Sequence, residues 1–186
     1  MPEGAKAEGS TGTQLWQWVD DAARVRSGTR AHVQDAGETD VSGHRVTELT
    51  PHLVSSRDRL FAWVFLDPAR PPREIMLQWQ ADGEWEHRAY WADSERSERL
   101  PQAPTRRWMG PLPKPGAWMR LDVSAGDVGL GQPESAGITG LSFDQVGGYI
   151  TWDATGVRRA PEEPWRDQAG DILWALVSSP EFQFIR

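Results

Sequence analysis

Leu60–Asp93 reads LFAWVFLDPARPPREIMLQWQADGEWEHRAYWAD, and this stretch decides the fold class. Leu60–Leu66 is apolar at both alternating sets of positions, the pattern of a central strand covered on both faces. Asp67-Pro68 and Pro71-Pro72 end it, because proline lacks the amide donor a ladder needs and fixes φ. Glu74–Gln80 alternates, with Ile75, Leu77 and Trp79 on one face and Met76, Gln78 and Gln80 on the other. Ala81-Asp82-Gly83 supplies the positive-φ positions of a tight hairpin turn. Glu84–Trp91 then puts Trp85, His87, Ala89 and Trp91 on one face and Glu84, Glu86, Arg88 and Tyr90 on the other. So much aromatic and polar chemistry on one hairpin makes it either an aromatic core or a binding face.

The same alternation recurs outward from this hairpin. Gln14–Val19, Thr29–Gln34, His44–Leu49, Arg106–Met109, Ala117–Val123, Ile138–Val146 and Tyr149–Asp153 all read as short strands. Turn residues separate them, and Gly147-Gly148 reads as the turn of a closing hairpin. About eight to ten evenly spaced strands predict an all-β jelly-roll β-sandwich, galactose-binding-like in strand pattern. Residues 1–12, polar and Gly/Ser/Ala-rich, read as a flexible lead-in, and 13–157 as the sandwich. Residues 158–186 read as a linker followed by a short C-terminal helix, Asp171–Ser178, with Asp171 as N-cap and Pro180 beyond it. The apolar end, with Phe182, Phe184 and Ile185, needs a surface to cover it.

At 186 residues the chain is long enough for one full core without staples. A net charge of −7 with no basic run excludes a nucleic-acid surface. Lys6 and Lys114 are the only lysines, so the positive charge is nearly all arginine. There is no cysteine, which excludes disulfides, thiol catalysis and thiolate metal sites. No signal-peptide h-region follows Met1, and no apolar run is long enough to predict membrane insertion. Eleven tryptophans are the unusual number, since tryptophan serves both core filling and stacking on flat ligands such as sugar rings.

No enzyme is predicted. Glu84 and Glu86 have a separation, about 6.6 Å, that could suit paired-carboxylate glycoside chemistry, but every solvated strand offers it. His32, His44, His52 and His87 show no metal-ligand spacing. Asp67, Asp144 and Asp153 could give oxygen ligands to a structural calcium, and no other cofactor is expected. Gly126–Gly131 lacks the strand–helix context of a phosphate loop.

Two sets of residues carry a resemblance. LFAWVFLDPARPPREIMLQWQADGEWEHRAYW, RRWMGPLPKPGAWMRLDVSAGDVGL and ITGLSFDQVGGYITWD resemble a β-sandwich module of large planctomycete proteins that also hold cytochrome-c-like and paired uncharacterised domains. The closing DILWALVSSPEFQF is similar to the end of the second uncharacterised domain. The resemblance spans Ala5–Val157 and Asp171–Arg186, and it implies an exported parent protein acting in the periplasm or at the cell surface. The chain lacks CxxCH, so no haem role carries over.

The residues together predict a non-catalytic module that binds a polysaccharide or oligosaccharide. The expected ligand-binding residues are Trp85, His87, Arg88, Tyr90 and Trp91, with Trp79 and Gln78 beside them. Stacking and hydrogen bonds would hold the sugar, and the Arg88 fork could meet a sulfate or carboxylate. Because Trp85 and Arg88 point to opposite faces of one strand, these residues cannot all share one surface. The alternative is a structural module packing against neighbouring domains of its parent.

Overall fold

The computed structural model describes residues 4–11, 17–38, 40–94, 105–134 and 136–161. In chain order the strands are β1 (Lys6–Thr11), β2 (Gln17–Val19), β3 (Ala31–Asp35), β4 (Val41–Thr47), β5 (Arg59–Leu66) and β6 (Glu74–Ala81). They continue as β7 (Glu84–Ala92), β8 (Arg106–Trp108), β9 (Trp118–Ser124), β10 (Ile138–Val146) and β11 (Tyr149–Arg158). Two 3-10 turns, Ala22–Arg24 and Ala125–Val128, are the helical elements among the described residues. One sheet has the order β1-β4-β10-β6-β7-β8 and the other β2-β3-β11-β5-β9. Every pairing between these strands is antiparallel except β7 with β8. This is the all-β sandwich that the strand spacing predicts.

The alternation read from sequence fills the space between the sheets. Leu60, Ala62, Val64 and Leu66 of β5 and Ile150 and Trp152 of β11 face Ile75, Leu77 and Trp79 of β6 and Leu141 and Phe143 of β10. Burying each of these large apolar side chains stabilises the fold by roughly 1.5–3 kcal/mol. Polar side chains also reach across the layer, Gln34 among them. Gln34 of β3 donates from Nε2 to the Phe143 carbonyl of the opposite sheet, 3.0 Å away, and accepts from Trp152 Nε1 at 2.7 Å. Its amide is thereby satisfied inside the core, where an orphaned polar group would be costly.

Three expectations need correction. Lys6–Thr11, read as part of a flexible lead-in, is an edge strand paired with β4, and Lys6 forms an ion pair with Glu48. It has no apolar alternation because backbone bonds to β4, not a buried face, hold it in place. The β5 strand is central but not covered on both faces: Phe61, Trp63 and Phe65 point away from the core and stay half-exposed. Arginine, not another layer, shields two of them, with Arg120 Cζ 4.2 Å from the Phe61 ring and Arg26 Cζ 4.3 Å from Trp63.

The third correction concerns Gly147-Gly148. It does not close a hairpin, because β10 and β11 belong to different sheets. The glycines instead carry the chain across the end of the sandwich, bonding to the Asp40 and Gly37 carbonyls. A Cβ on Gly148, at φ +76°, would lie 2.5 Å from Pro72 N, so only glycine fits that crossing. By contrast, Asp82 (φ 53°) and Gly83 (φ 84°) do form the tight β6–β7 turn. Residues 14–16 of the first expected strand, the expected helix Asp171–Ser178 and the apolar end lie outside the described residues.

Candidate functional site

The β6–β7 hairpin does not run in even register. Trp79 pairs with His87, but Ala81 pairs with Glu84, so β7 carries one extra residue beside the turn. Such a bulge turns the side chains that follow it onto the other face. Trp85 therefore leaves the face expected for it and joins Gln78, Arg88 and Tyr90 on the outside of the six-stranded sheet. There its ring lies under the Arg45 guanidinium, 4.7 Å from Cζ. A Cβ on Gly140 would come within 2.9 Å of Trp85 Cη2, so the glycine in β10 leaves room for the indole.

The expected binding residues thus divide into two groups. Trp79, His87 and Trp91 face inward. Trp79 and Trp91 are 5% and 7% exposed and belong to the core. Trp79 also floors an apolar groove of about 400 Å³ at one end of the sandwich, with Leu49, Ile138, Leu141 and Val157. His87 Nδ1 lies 2.8 Å from the Val128 carbonyl oxygen, which only accepts, so the proton sits on Nδ1 and ties the Ala125–Val128 turn to β7. Gln78, Trp85, Arg88 and Tyr90 share the outer face.

That outer face carries a connected polar network. Asp144 of β10 accepts from Gln78 Nε2 and, at 2.8 Å, from Ser142 Oγ. Gln78 Oε1 accepts from Arg88 Nε at 3.0 Å, and Arg88 reaches Glu86 at 2.9 Å. Beside it the Arg106 guanidinium stacks on Tyr90, 4.3 Å from the ring centroid. Burial, and then the neighbouring Arg88 charge, lower Arg106 from its ordinary pKa while Tyr90 and Glu74 pull the other way. Asp144, Ser142 and Tyr90 are all fully buried, and Met76, Tyr90 and Ala92 form a second small apolar cluster with Trp108. Trp85 and Arg45 remain half-exposed and Glu86 exposed.

Sequence reasoning missed Ser142 and Arg45 as members of this face and considered Asp144 only for calcium. The alternation of Ile138–Val146 was the available signal, since it sets Ser142 and Asp144 opposite Leu141 and Phe143. The three aspartates weighed for calcium do not converge. Asp144 lies in one sheet, while Asp67 and Asp153 lie at the other, and Asp153 is occupied by the amides of Arg26, Ser27 and Ala154. Among the described residues no group of three or more histidines and carboxylates could hold a metal ion.

No protein-family model matches the chain, and no curated protein matches it. Solved structures do. TmCBM61 in complex with beta-1,4-galactotriose matches with a TM-score of 0.50 and 11% identity, over 85% of this chain and 90% of that one. The chain shares the fold of the β-sandwich carbohydrate-binding modules. A family 11 carbohydrate-binding module from Clostridium thermocellum, in complex with a beta-1,3-1,4-mixed-linked tetrasaccharide, matches at 0.44 and 11%, over 87% and 88%. The Spr0440 glycoside hydrolase domain of Endo-D from Streptococcus pneumoniae R6 matches at 0.49 and 7%, over 86% of this chain and 22% of that one. At such identities the likeness concerns fold, and the ligands named belong to those proteins.

Proposed function

We propose that this chain is a non-catalytic carbohydrate-binding module whose outer six-stranded face, around Trp85, meets a sugar. The observation that carries the reading is the β7 bulge, which sets the half-exposed Trp85 ring under Arg45 on the same face as Arg88 and Glu86, whose network is anchored by the buried Gln78. The Arg45 guanidinium lies over the Trp85 ring, so a sugar would stack on the part of the half-exposed indole that this side chain leaves open, with Arg88 and Glu86 supplying donors and acceptors on the same face. The Arg88 fork is held by Gln78 and Glu86, which favours neutral hydroxyls over a sulfate. Asp144 supports a non-catalytic role, because a buried carboxylate accepting from Gln78 and Ser142 is a structural anchor. Trp79, His87 and Trp91 then support the face from the core side. From the sequence resemblance alone, we propose a longer exported parent acting in the periplasm or at the cell surface.

Tryptophan fluorescence titration with neutral and sulfated polysaccharides tests this. A saturable change in the native chain, lost in a folded Trp85→Ala variant, is the expected result. A flat response across the panel would overturn it. One observation favours a second reading, a structural interaction module: the large apolar side chains Trp18, Leu53 and Met119 stay exposed. A module of that kind would bind a neighbouring domain and no sugar.

A further inference from the structure

The five-stranded sheet carries its own aromatic surface, and one part of it is open. Along the outer face of β5, Phe61 and Trp63 are shielded by Arg120 and Arg26. The third aromatic, Phe65, is treated differently. It pairs across strands with Trp118 of β9, their ring centroids 5.9 Å apart at 58°, and among the described residues no guanidinium lies over either ring. These rings line a cleft of about 260 Å³ with Tyr149, Thr151, Asp67 and Arg24.

The polar groups of this cleft are positioned by local structure. Asp67 follows β5, and its Oδ1 accepts from the Ala69 amide at 2.8 Å in a turn, which leaves Oδ2 without a partner among the described residues. Arg24 ends the turn Ala22–Arg24, itself capped by Asp21, and its Nη1 lies 3.5 Å from the Tyr149 hydroxyl. Arg70 covers the other aspect of Tyr149, 5.0 Å from the ring, and is neutralised by Asp35 at 3.0 Å. Thr151 is buried at the base.

We infer that this cleft is a second ligand site, taking one ring of a neutral saccharide chain. The two open rings suit the CH face of a sugar, Asp67 Oδ2 suits a hydroxyl donor, and Arg24 suits a hydroxyl acceptor. The Arg24 guanidinium at Tyr149 argues against a cationic ligand, and the Asp67 carboxylate argues against an anionic one. The volume lies just below the roughly 300 Å³ at which pockets for whole small molecules begin, so a single ring fits and a longer segment must continue outside. The inference rests on the carbohydrate-binding reading but places the contact on the opposite face of the sandwich from Trp85.

Isothermal titration of the full chain with beta-1,4-galactotriose and with a mixed-linked beta-glucan tetrasaccharide tests it. Three variants are compared: Trp118→Ala, Asp67→Asn and Trp85→Ala. The asparagine keeps the turn acceptor while removing the charge, so it guards against a folding artefact in the tryptophan variant. The expected result is binding weakened about tenfold or more by Trp118→Ala and measurably by Asp67→Asn, at unchanged melting temperature. Loss of binding in Trp85→Ala alone, with Trp118→Ala and Asp67→Asn at native affinity, would overturn the cleft and leave the carbohydrate reading standing. No binding of either sugar by the native chain would overturn both.

Discussion

Replacing Asp58 by alanine should remove about 3 kcal/mol of stability. This carboxylate is 2% exposed, where the loop before β5 meets the chain leaving β11. Oδ1 accepts from the Ala160 amide at 2.8 Å, and Oδ2 accepts from the Ser55 amide at 2.8 Å and from Arg159 Nη1 at 2.9 Å. Burial alone would raise this carboxyl, but the Ala160 and Ser55 amides and Arg159 outweigh it and hold it well below the usual carboxylate range. A hydrogen bond to a charged group contributes about 1.5–3 kcal/mol. Ser55 is exposed and its amide can turn to water, so the low end applies to each of the two amides. The Arg159 side chain is 57% exposed, and its ion pair adds well under about 1 kcal/mol. The resulting fall in Tm is roughly 6–12 °C for a chain of this size. Asp58→Asn, which keeps one acceptor oxygen, should lose about half as much. Because the folded pKa lies below the unfolded one, the contribution is complete above about pH 4 and is lost as pH falls through the folded value. Thermal melts of the native chain and both variants, followed by circular dichroism from neutral pH into acid, check the reasoning. A Tm for Asp58→Ala within about 2 °C of native at neutral pH would refute it.

His32 is buried beside Phe143 and His44, and burial, then His44, holds its imidazole well below the ordinary 6.5. Its stabilising contribution is therefore complete above about pH 6.5 and falls below it, as the unfolded chain takes a proton that the folded chain refuses. His32→Phe should flatten the decline in denaturant midpoint between about pH 6.5 and 5, and an unchanged slope would count against this. Gly148→Ala should cost about 3 kcal/mol or more, since it combines a positive φ with contact on the Pro72 backbone. Gly83→Ala, also at positive φ but with open space around it, should cost only about 1–2 kcal/mol, and equal losses by chemical denaturation would contradict the steric argument.

The strands were legible because most of them bury one face and alternate accordingly. Glu74–Ala81 and Trp118–Ser124 appear almost to the residue. What alternation could not reveal was anything held by backbone bonds alone, and β1 is the example: Lys6–Thr11 holds no apolar side chain larger than alanine and pairs only at an edge. Sheet membership was equally hidden. The pair Gly147-Gly148 has the chemistry of a hairpin turn, yet its surroundings at Pro72 and Gly37 make it a crossing. The candidate site depended on a third blind spot, since one extra residue in β7 moves Trp85 across the sheet. Period-two reasoning assumes no such insertion, so it placed Trp85 opposite Arg88. The cleft at Phe65 and Trp118 escaped for a related reason, because an uninterrupted apolar run such as LFAWVFL reads as buried on both sides.

The crossing at Gly147-Gly148 has a bearing on how the chain acquires its structure. It sends β10 to the middle of one sheet, between β4 and β6, and β11 to the middle of the other, between β3 and β5. Both central strands thus come from the last part of the described chain, and each joins partners synthesised much earlier. Such distant pairings are slow to close, because the intervening loop must be ordered before any contact rewards it. The early strands β3 and β4 should then wait with open edges, and pulse-labelled hydrogen exchange should find their amides protected no sooner than those of β10 and β11.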